Sequence, residues 1–325
     1  MRSVVTGGAG FIGSHLVDRL IAAGEDVIVL DDLSTGSEQN LHHHAGNARL
    51  KFVRGSILDV DAVNDAVGNA DRVFHLAAAV GVAHIVRDPL GGMLTNVRGT
   101  ENVLAACAQH HRKVLLASTS EVYGKSPRIP MAEDDDRLLG PTSVPRWSYS
   151  TAKALDEHLG LAYAAVGAPV VIVRYFNSYG PRLDERGYGS VIANFLRQAH
   201  AGGPLIVYGD GNQTRCFTFV DDTVSGTLAA MDADTNRGRI FNIGNPATEI
   251  SIADLATRVL EASGQTAEIV RVPFADVFGP NFEDTPRRVP SIDRAISVLN
   301  WRPTTDLAPG LSATARWWAD NLVAR

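Results

Sequence analysis

Along the first half of the chain, apolar residues gather in short unbroken runs, separated by longer stretches where they recur at helical spacing. Val4 and Val5 stand inside Ser3–Thr6, and Asp26–Leu30 is apolar to its end. The runs Leu50–Val53, Arg72–Leu76, Lys113–Ala117 and Val170–Tyr175 follow. Runs this short and continuous predict strands buried on both faces, as in a parallel sheet. Helical patterns over roughly 60–67, 90–110 and 148–166 stand between them. The alternation predicts an α/β fold: a Rossmann-type doubly wound parallel sheet with right-handed crossovers. After Tyr175 the texture changes. Gly180-Pro181, Gly187, Gly189, Gly202-Gly203-Pro204 and Gly209-Asp210-Gly211 punctuate shorter pieces, which predicts a smaller, discontinuous C-terminal domain over the sheet edge.

The first strand runs directly into Gly7-Gly8-Ala9-Gly10-Phe11-Ile12-Gly13 and then a helix. Each of three glycines answers a demand. Gly7 permits the tight turn, Gly10 lets backbone approach a pyrophosphate, and Gly13 lets the helix pack closely. The helix N-terminus offers free N–H groups and a positive dipole end to phosphates. Asp31 follows Gly13 by eighteen residues, at the end of the second strand. A carboxylate there holds a ribose 2′-hydroxyl and repels a 2′-phosphate, so the expected cofactor is NAD rather than NADP. The domain reading becomes 1–176, with about 214–245, for NAD, and 177–213 with 246–325 for substrate.

Composition narrows the classes. The chain has 325 residues, 45% of them hydrophobic, and a net charge of −6, room for one large or two modest domains. Mild acidity argues against a nucleic-acid partner, which wants a basic face. No apolar run reaches membrane-spanning length, and a strand pattern begins at once, so neither a membrane segment nor a secretion signal is expected. Cys107 and Cys216 are the only cysteines. They make no disulfide framework, which points to a reducing cytoplasm. His42-His43-His44 lies in a polar stretch without i, i+4 spacing and reads as a solvated loop, so no metal is expected.

The chemistry is carried at two later positions. Ser118-Thr119-Ser120-Glu121 closes one strand, and Trp147-Ser148-Tyr149-Ser150-Thr151-Ala152-Lys153 opens a helix. Tyr149 and Lys153 fall one turn apart on one face. An ammonium beside a phenol favours the phenolate, so the Tyr149 pKa is expected to fall. Such a phenolate over a nicotinamide takes a hydroxyl proton while hydride leaves the same carbon, with Thr119 or Ser120 completing the hydrogen-bond chain. A Tyr-x-x-x-Lys pair is common on helix surfaces. It gains weight here because it follows a dinucleotide fingerprint and a Ser/Thr-rich strand end.

At this point the chain resembles the extended short-chain dehydrogenase/reductase family over nearly its whole length. The matching pieces are Thr6–Gly13, His75-Leu76-Ala77-Ala78, Asn96, Ser118–Gly124, Tyr149 with Lys153, and Tyr175–Arg182. The resemblance implies a cofactor shell of Gly7, Gly10, Phe11, Ile12, Gly13, Asp31, Asp32, Ser34, Gly36, Ser56, Ile57, Leu76, Ala77, Ala78, Asn96, Ser118, Tyr149, Lys153 and Tyr175. Tyr208–Arg215 is similar to the family's nucleotide-sugar enzymes, where the turn and its arginine hold the substrate diphosphate. A fixed guanidinium fork suits phosphate. Substrate contacts are thereby implied at Val80, Ile85, Arg146, Asn177, Tyr208, Arg215, Phe282 and Arg288. A homodimer built on the 90–110 and 148–166 helices is implied as well.

Within that family the chain looks most like the UDP-glucuronate decarboxylases. Ser120-Glu121 follows Thr119, Pro145-Arg146-Trp147 precedes Ser148-Tyr149, and Phe282–Ile292 resembles their C-terminal segment. The resemblance implies that Glu121 acts near C5 or the carboxylate and that Arg288 is catalytic, alongside Tyr149, Lys153, Thr119 and Ser120. Val289 stands where those enzymes usually carry lysine, Ser56 where an acid is usual, and Phe282 where one branch has tyrosine. The implied function is C4 oxidation of UDP-glucuronate, loss of carbon dioxide from the 4-keto acid and return of hydride to give UDP-xylose. A 4-epimerase of UDP-glucuronate or UDP-glucose, a 4,6-dehydratase and a dinucleotide sensor without turnover are the alternatives. Glu121 counts against the first, Thr119 with Glu121 keeps the second open, and intact Tyr149 and Lys153 argue against the third.

Overall fold

Six of the strands expected from the apolar runs are present: β1 (Arg2–Thr6), β2 (Asp26–Asp31), β3 (Leu50–Arg54), β4 (Arg72–His75), β5 (Lys113–Thr119) and β6 (Val170–Tyr175). A seventh, Arg239–Ile243, joins the edge beside β6. The structure is a computed structural model that describes residues 1–80, 88–183, 190–234, 238–279 and 283–322. Every pairing in the central sheet is parallel, and β1 lies between β2 and β4. Strand order therefore reverses at β1, and ligands of such sheets bind in the crevice beyond the carboxyl ends at that point.

Side-chain alternation sorts the sheet into two faces. Val5, Val27, Val29, Phe74, Leu115, Val171 and Val173 point to one core, covered by α1 (Phe11–Ala22) and the helix Val220–Asp232. Val4, Ile28, Leu30, Val73, Val114, Leu116, Val170 and Ile172 point to the other, covered by α2 (Val60–Gly68), α3 (Pro89–Gln109) and α4 (Ser148–Ala165). Burial on both faces explains why the strands read as continuous apolar runs. Helix starts are set locally. The Asp59 carboxylate accepts from the Asp61 and Ala62 N–H groups, and Asp88 accepts from Gly91 just before Pro89.

A third core holds the helices Val191–His200, Ile252–Ser263 and Leu307–Leu322 around Leu205, Val207 and Phe217. Here a small sheet places Thr214–Cys216 between Glu249–Ser251 and Arg287–Arg288, with Arg288 in register with Arg215. The histidine run is exposed at His42 and His43, as expected from its polarity, but it is not a loop. Ser37 caps a 3-10 helix over Glu38–His44, and Nε2 of His43 and of His44 lie 2.7 and 2.8 Å from Asp18 Oδ1. The second Asp18 oxygen pairs with Arg182 at 2.7 Å. Cys107 and Cys216 are free and buried. Among the described residues, no helix is long and apolar enough to cross a membrane.

Candidate active site

The carboxyl ends of β1, β2, β4, β5 and β6 open into one cleft of about 380 Å³, within the size range of small-molecule sites. Its cofactor half is built by the glycine turn. Gly7 adopts φ +70°, and a Cβ there would lie 2.7 Å from the Ala77 backbone nitrogen. A Cβ on Gly13 would strike the Gly7 carbonyl oxygen, so its demand comes from the turn itself rather than the sheet. Gly10 caps α1 without any side-chain hydrogen bond, leaving the first N–H groups toward the cleft. Asp31 is 7% exposed, and its two oxygens accept from the Ala9 and Leu33 N–H groups at 2.9 and 2.8 Å. Two accepted bonds leave lone pairs for a ribose hydroxyl. An uncapped helix N-terminus, a cradle closed to any Cβ and a fixed carboxylate fit NAD.

Phe11, Ile12, Asp32, Ser34, Ile57, Leu76, Ala77, Ala78, Ser118 and Tyr175 also line the cleft, as expected. Gly36, Ser56 and Asn96 do not. Gly36 packs on Ala9 beside Asp31, while the Ser56 hydroxyl accepts from Leu58 and leaves Gly55 and Ile57 on the wall. Asn96 instead holds the backbone of Ala79 through both its amide atoms. Ser118 gives its hydroxyl to Glu157, which Arg174 also grips, and the Tyr175 hydroxyl meets Thr227 at 2.8 Å. Leu30, Thr35, Thr95, Ala117, Ser178, Leu183 and Ser190 also line the cleft, none of them singled out as a site residue from the sequence.

Replacing Asp31 by asparagine keeps an acceptor but removes the charge. Hydrogen bonds to charged groups contribute about 1.5–3 kcal/mol, so the NAD dissociation constant should rise roughly 10- to 100-fold while NADP is no longer repelled. Calorimetric titration of both dinucleotides checks this. Equal affinity of the wild type for the two would remove Asp31 from that role.

The reactive half is assembled from β5, α4 and the Arg287–Arg288 strand. Thr119 Oγ1 accepts from the Glu121 N–H at 3.2 Å and so caps the 3-10 turn Ser120–Tyr123, which aims Glu121 inward. Arg146 Nη1 lies 2.6 Å from Glu121 Oε2, and Arg288 Nη1 lies 2.8 Å from Oε1. Burial works against this carboxylate, but Arg288 and then Arg146 hold it far below the usual carboxyl range. Thr119, Ser120, Glu121, Arg146, Tyr149, Lys153, Asn177, Val80 and Arg288 share the cleft wall. Tyr208 and Arg215 do not reach it. Arg215 is buried against Asp284 at 2.9 Å, and burial with the nearby Arg288 lowers its pKa to about 10. Asp284, which also faces Arg146 at 3.9 Å, was missed because nothing in its spacing marks it. Ile85 and Phe282 lie outside the described residues.

The expected fall in the Tyr149 pKa is not what the arrangement produces. Burial first, then the charges of Glu121 and Asp156, push the phenol well above its ordinary value, and the Thr119 hydrogen bond only partly offsets them. The lysine's partner contributes to this, after burial and Glu121. Lys153 Nζ lies 2.9 Å from Asp156 Oδ2, so its charge is shared with a carboxylate rather than offered to the phenol alone.

Comparison with known proteins places these features in context. The model of the NAD dependent epimerase/dehydratase family matches residues 3–244. The chain is 43% identical over 319 residues to the UDP-N-acetyl-alpha-D-glucosaminuronate decarboxylase of Bacillus cytotoxicus, covering 98% of both proteins. It is 40% identical over 315 residues to UDP-glucuronic acid decarboxylase 4 of Arabidopsis thaliana, covering 96% of this chain and 67% of that protein. Among solved structures, the UDP-glucose 4-epimerase of Thermotoga maritima with UDP-glucose is 31% identical with a TM-score of 0.88, covering 99% of this chain and all of that one. The dTDP-glucose 4,6-dehydratase of Streptomyces venezuelae with NAD bound is 30% identical with a TM-score of 0.89, covering 100% and 98%.

Proposed function

Because the chain belongs to the NAD dependent epimerase/dehydratase family, we propose that it oxidises C4 of a UDP-uronic sugar and releases C6 as carbon dioxide. The observation that carries this reading is Glu121, held between Arg146 and Arg288 on the cleft wall that also bears Tyr149. Simple epimerisation at C4 asks for no charged machinery at C5 or C6. The decarboxylase names of the relatives at 43% and 40% identity support the same reading. They also widen the expected substrate from UDP-glucuronate to uronates bearing either a hydroxyl or an acetamido group at C2.

Tyr149 takes the proton of the C4 hydroxyl, with Thr119 bonded to the phenol and Lys153 one helical turn further along on the same wall. Bound NAD supplies the hydride acceptor. The resulting 4-ketone is β to the C6 carboxylate, so the C5–C6 bond can break with its electron pair passing into a C4 enolate. Arg146, Arg288 and Glu121 together carry one net positive charge. That charge is available to a substrate carboxylate and then to the enolate, while Glu121 repels the carboxylate and not the neutral carbon dioxide. Preorganised charge of this kind is a leading source of rate enhancement.

Incubation with NAD and either UDP-glucuronate or UDP-N-acetylglucosaminuronate should evolve carbon dioxide from at least one of them. Formation of the C4 epimer with all carbon retained would instead make the protein a 4-epimerase.

A further inference from the structure

Asp156 has no exposed surface, and nothing in the proposed reaction uses it directly. A carboxylate cut off from water is costly unless paired. Its pair is Lys153, one turn back on α4, at 2.9 Å with side-chain exposures of 3% and 0%. Thr100 on α3 faces it as well. Neither carboxylate oxygen has a well-aligned hydrogen-bond donor among the described residues, so the ion pair with Lys153 is what holds it.

Thr100 also joins a chain of buried polar side chains. Thr100 Oγ1 lies 3.1 Å from His75 Nε2. His75 Nδ1 lies 2.7 Å from the Thr6 hydroxyl. Thr6 Oγ1 in turn accepts the Ala77 N–H at 3.2 Å. Burial, and then the Lys153 charge, lower the His75 pKa to about 3, so the imidazole stays neutral. The other charged groups around Asp156 are accounted for. Glu157 on α4 is gripped by Arg174 and Ser118, and Glu121 by Arg146 and Arg288.

We propose that Asp156 is a positioning residue for the base: a fixed counter-charge that holds Lys153 and sets the charge balance around Tyr149. The proposal rests on Tyr149 being the base of the reaction above. With Asp156 ionised, the lysine and its partner present little net charge to the phenol. Without it, one negative charge is gone, and the Tyr149–Lys153 pair releases its first proton at lower pH whichever group gives it up.

The test is an absorbance titration of tyrosinate in Asp156→Asn without NAD or sugar, with the same titration in a Tyr149→Phe background subtracted. The Tyr149 transition should move down by about 1–3 pH units, the usual effect of one adjacent charge. The acid limb of C4 oxidation should move down with it, and Asp156→Glu should restore both. An unmoved transition in folded Asp156→Asn overturns the proposal and leaves Asp156 as packing. Asp156→Ala serves where the asparagine variant does not fold. Because the titration needs no turnover, failure of the decarboxylase reading and failure of this one are separately visible.

Discussion

Tyr149→Phe should lower the rate of C4 oxidation by about 10²–10⁴-fold, the usual contribution of a positioned proton-transfer group. Binding of NAD and of the UDP sugar should stay close to wild type. The substitution deletes one hydroxyl from the second residue of α4, whose known partner is Thr119. Neither the glycine turn nor Asp31 touches it. The loss should therefore fall on turnover, and single-turnover reduction of NAD with saturating sugar measures it directly. Turnover near the wild-type rate would take Tyr149 out of the mechanism. The raised proton affinity of the phenol adds a condition to this result. In the ligand-free protein Tyr149 holds its proton, so wild-type activity should climb with pH until the phenolate forms.

Much of this site was legible in the sequence, for identifiable reasons. The strands are buried on both faces, so each apolar run marks one of them, and their carboxyl ends give the places where the chain can meet a ligand. Gly13 and Asp31 are constrained by neighbours within the same motif, and Gly7 by its own positive φ as well as by the distant Ala77, so their spacing carries much of the geometry. What the spacing could not show is which charges meet across elements. Arg287 and Arg288 are adjacent and chemically alike. On a strand, neighbours point to opposite faces. Arg287 turns outward to Glu249 at 2.7 Å, and Arg288 turns inward to Glu121. Asp156 escaped notice for the same reason. Tyr149 and Lys153 are read along one helix, but the helix face that buries Asp156 is set by α3, which supplies Thr100. Asp284 and the pairing of His43 and His44 with Asp18 likewise depend on long-range folding.

That difference between the two arginines leads to the test of decarboxylation itself. Arg288→Ala should cut carbon dioxide release by about 10²–10³-fold, the scale seen when a preorganised group that stabilises developing charge is removed. Arg287→Ala should change it little, because an exposed ion pair contributes about 0–1 kcal/mol and Arg287 does not reach the cleft. Arg288 also holds Glu121, so its loss leaves that carboxylate to Arg146 alone. The turn Ser120–Tyr123 is still capped by Thr119, and the NAD half of the cleft lies on other strands, so NAD affinity should be retained. The two chemical steps can then be separated. C4 oxidation draws on Tyr149, and breakage of the C5–C6 bond draws on Arg288. Arg288→Ala should therefore still reduce bound NAD with a UDP-uronate and stall before carbon dioxide leaves. If Arg288→Ala releases carbon dioxide at the wild-type rate, the guanidinium is a structural partner of Glu121 and the charge for the enolate must come from Arg146.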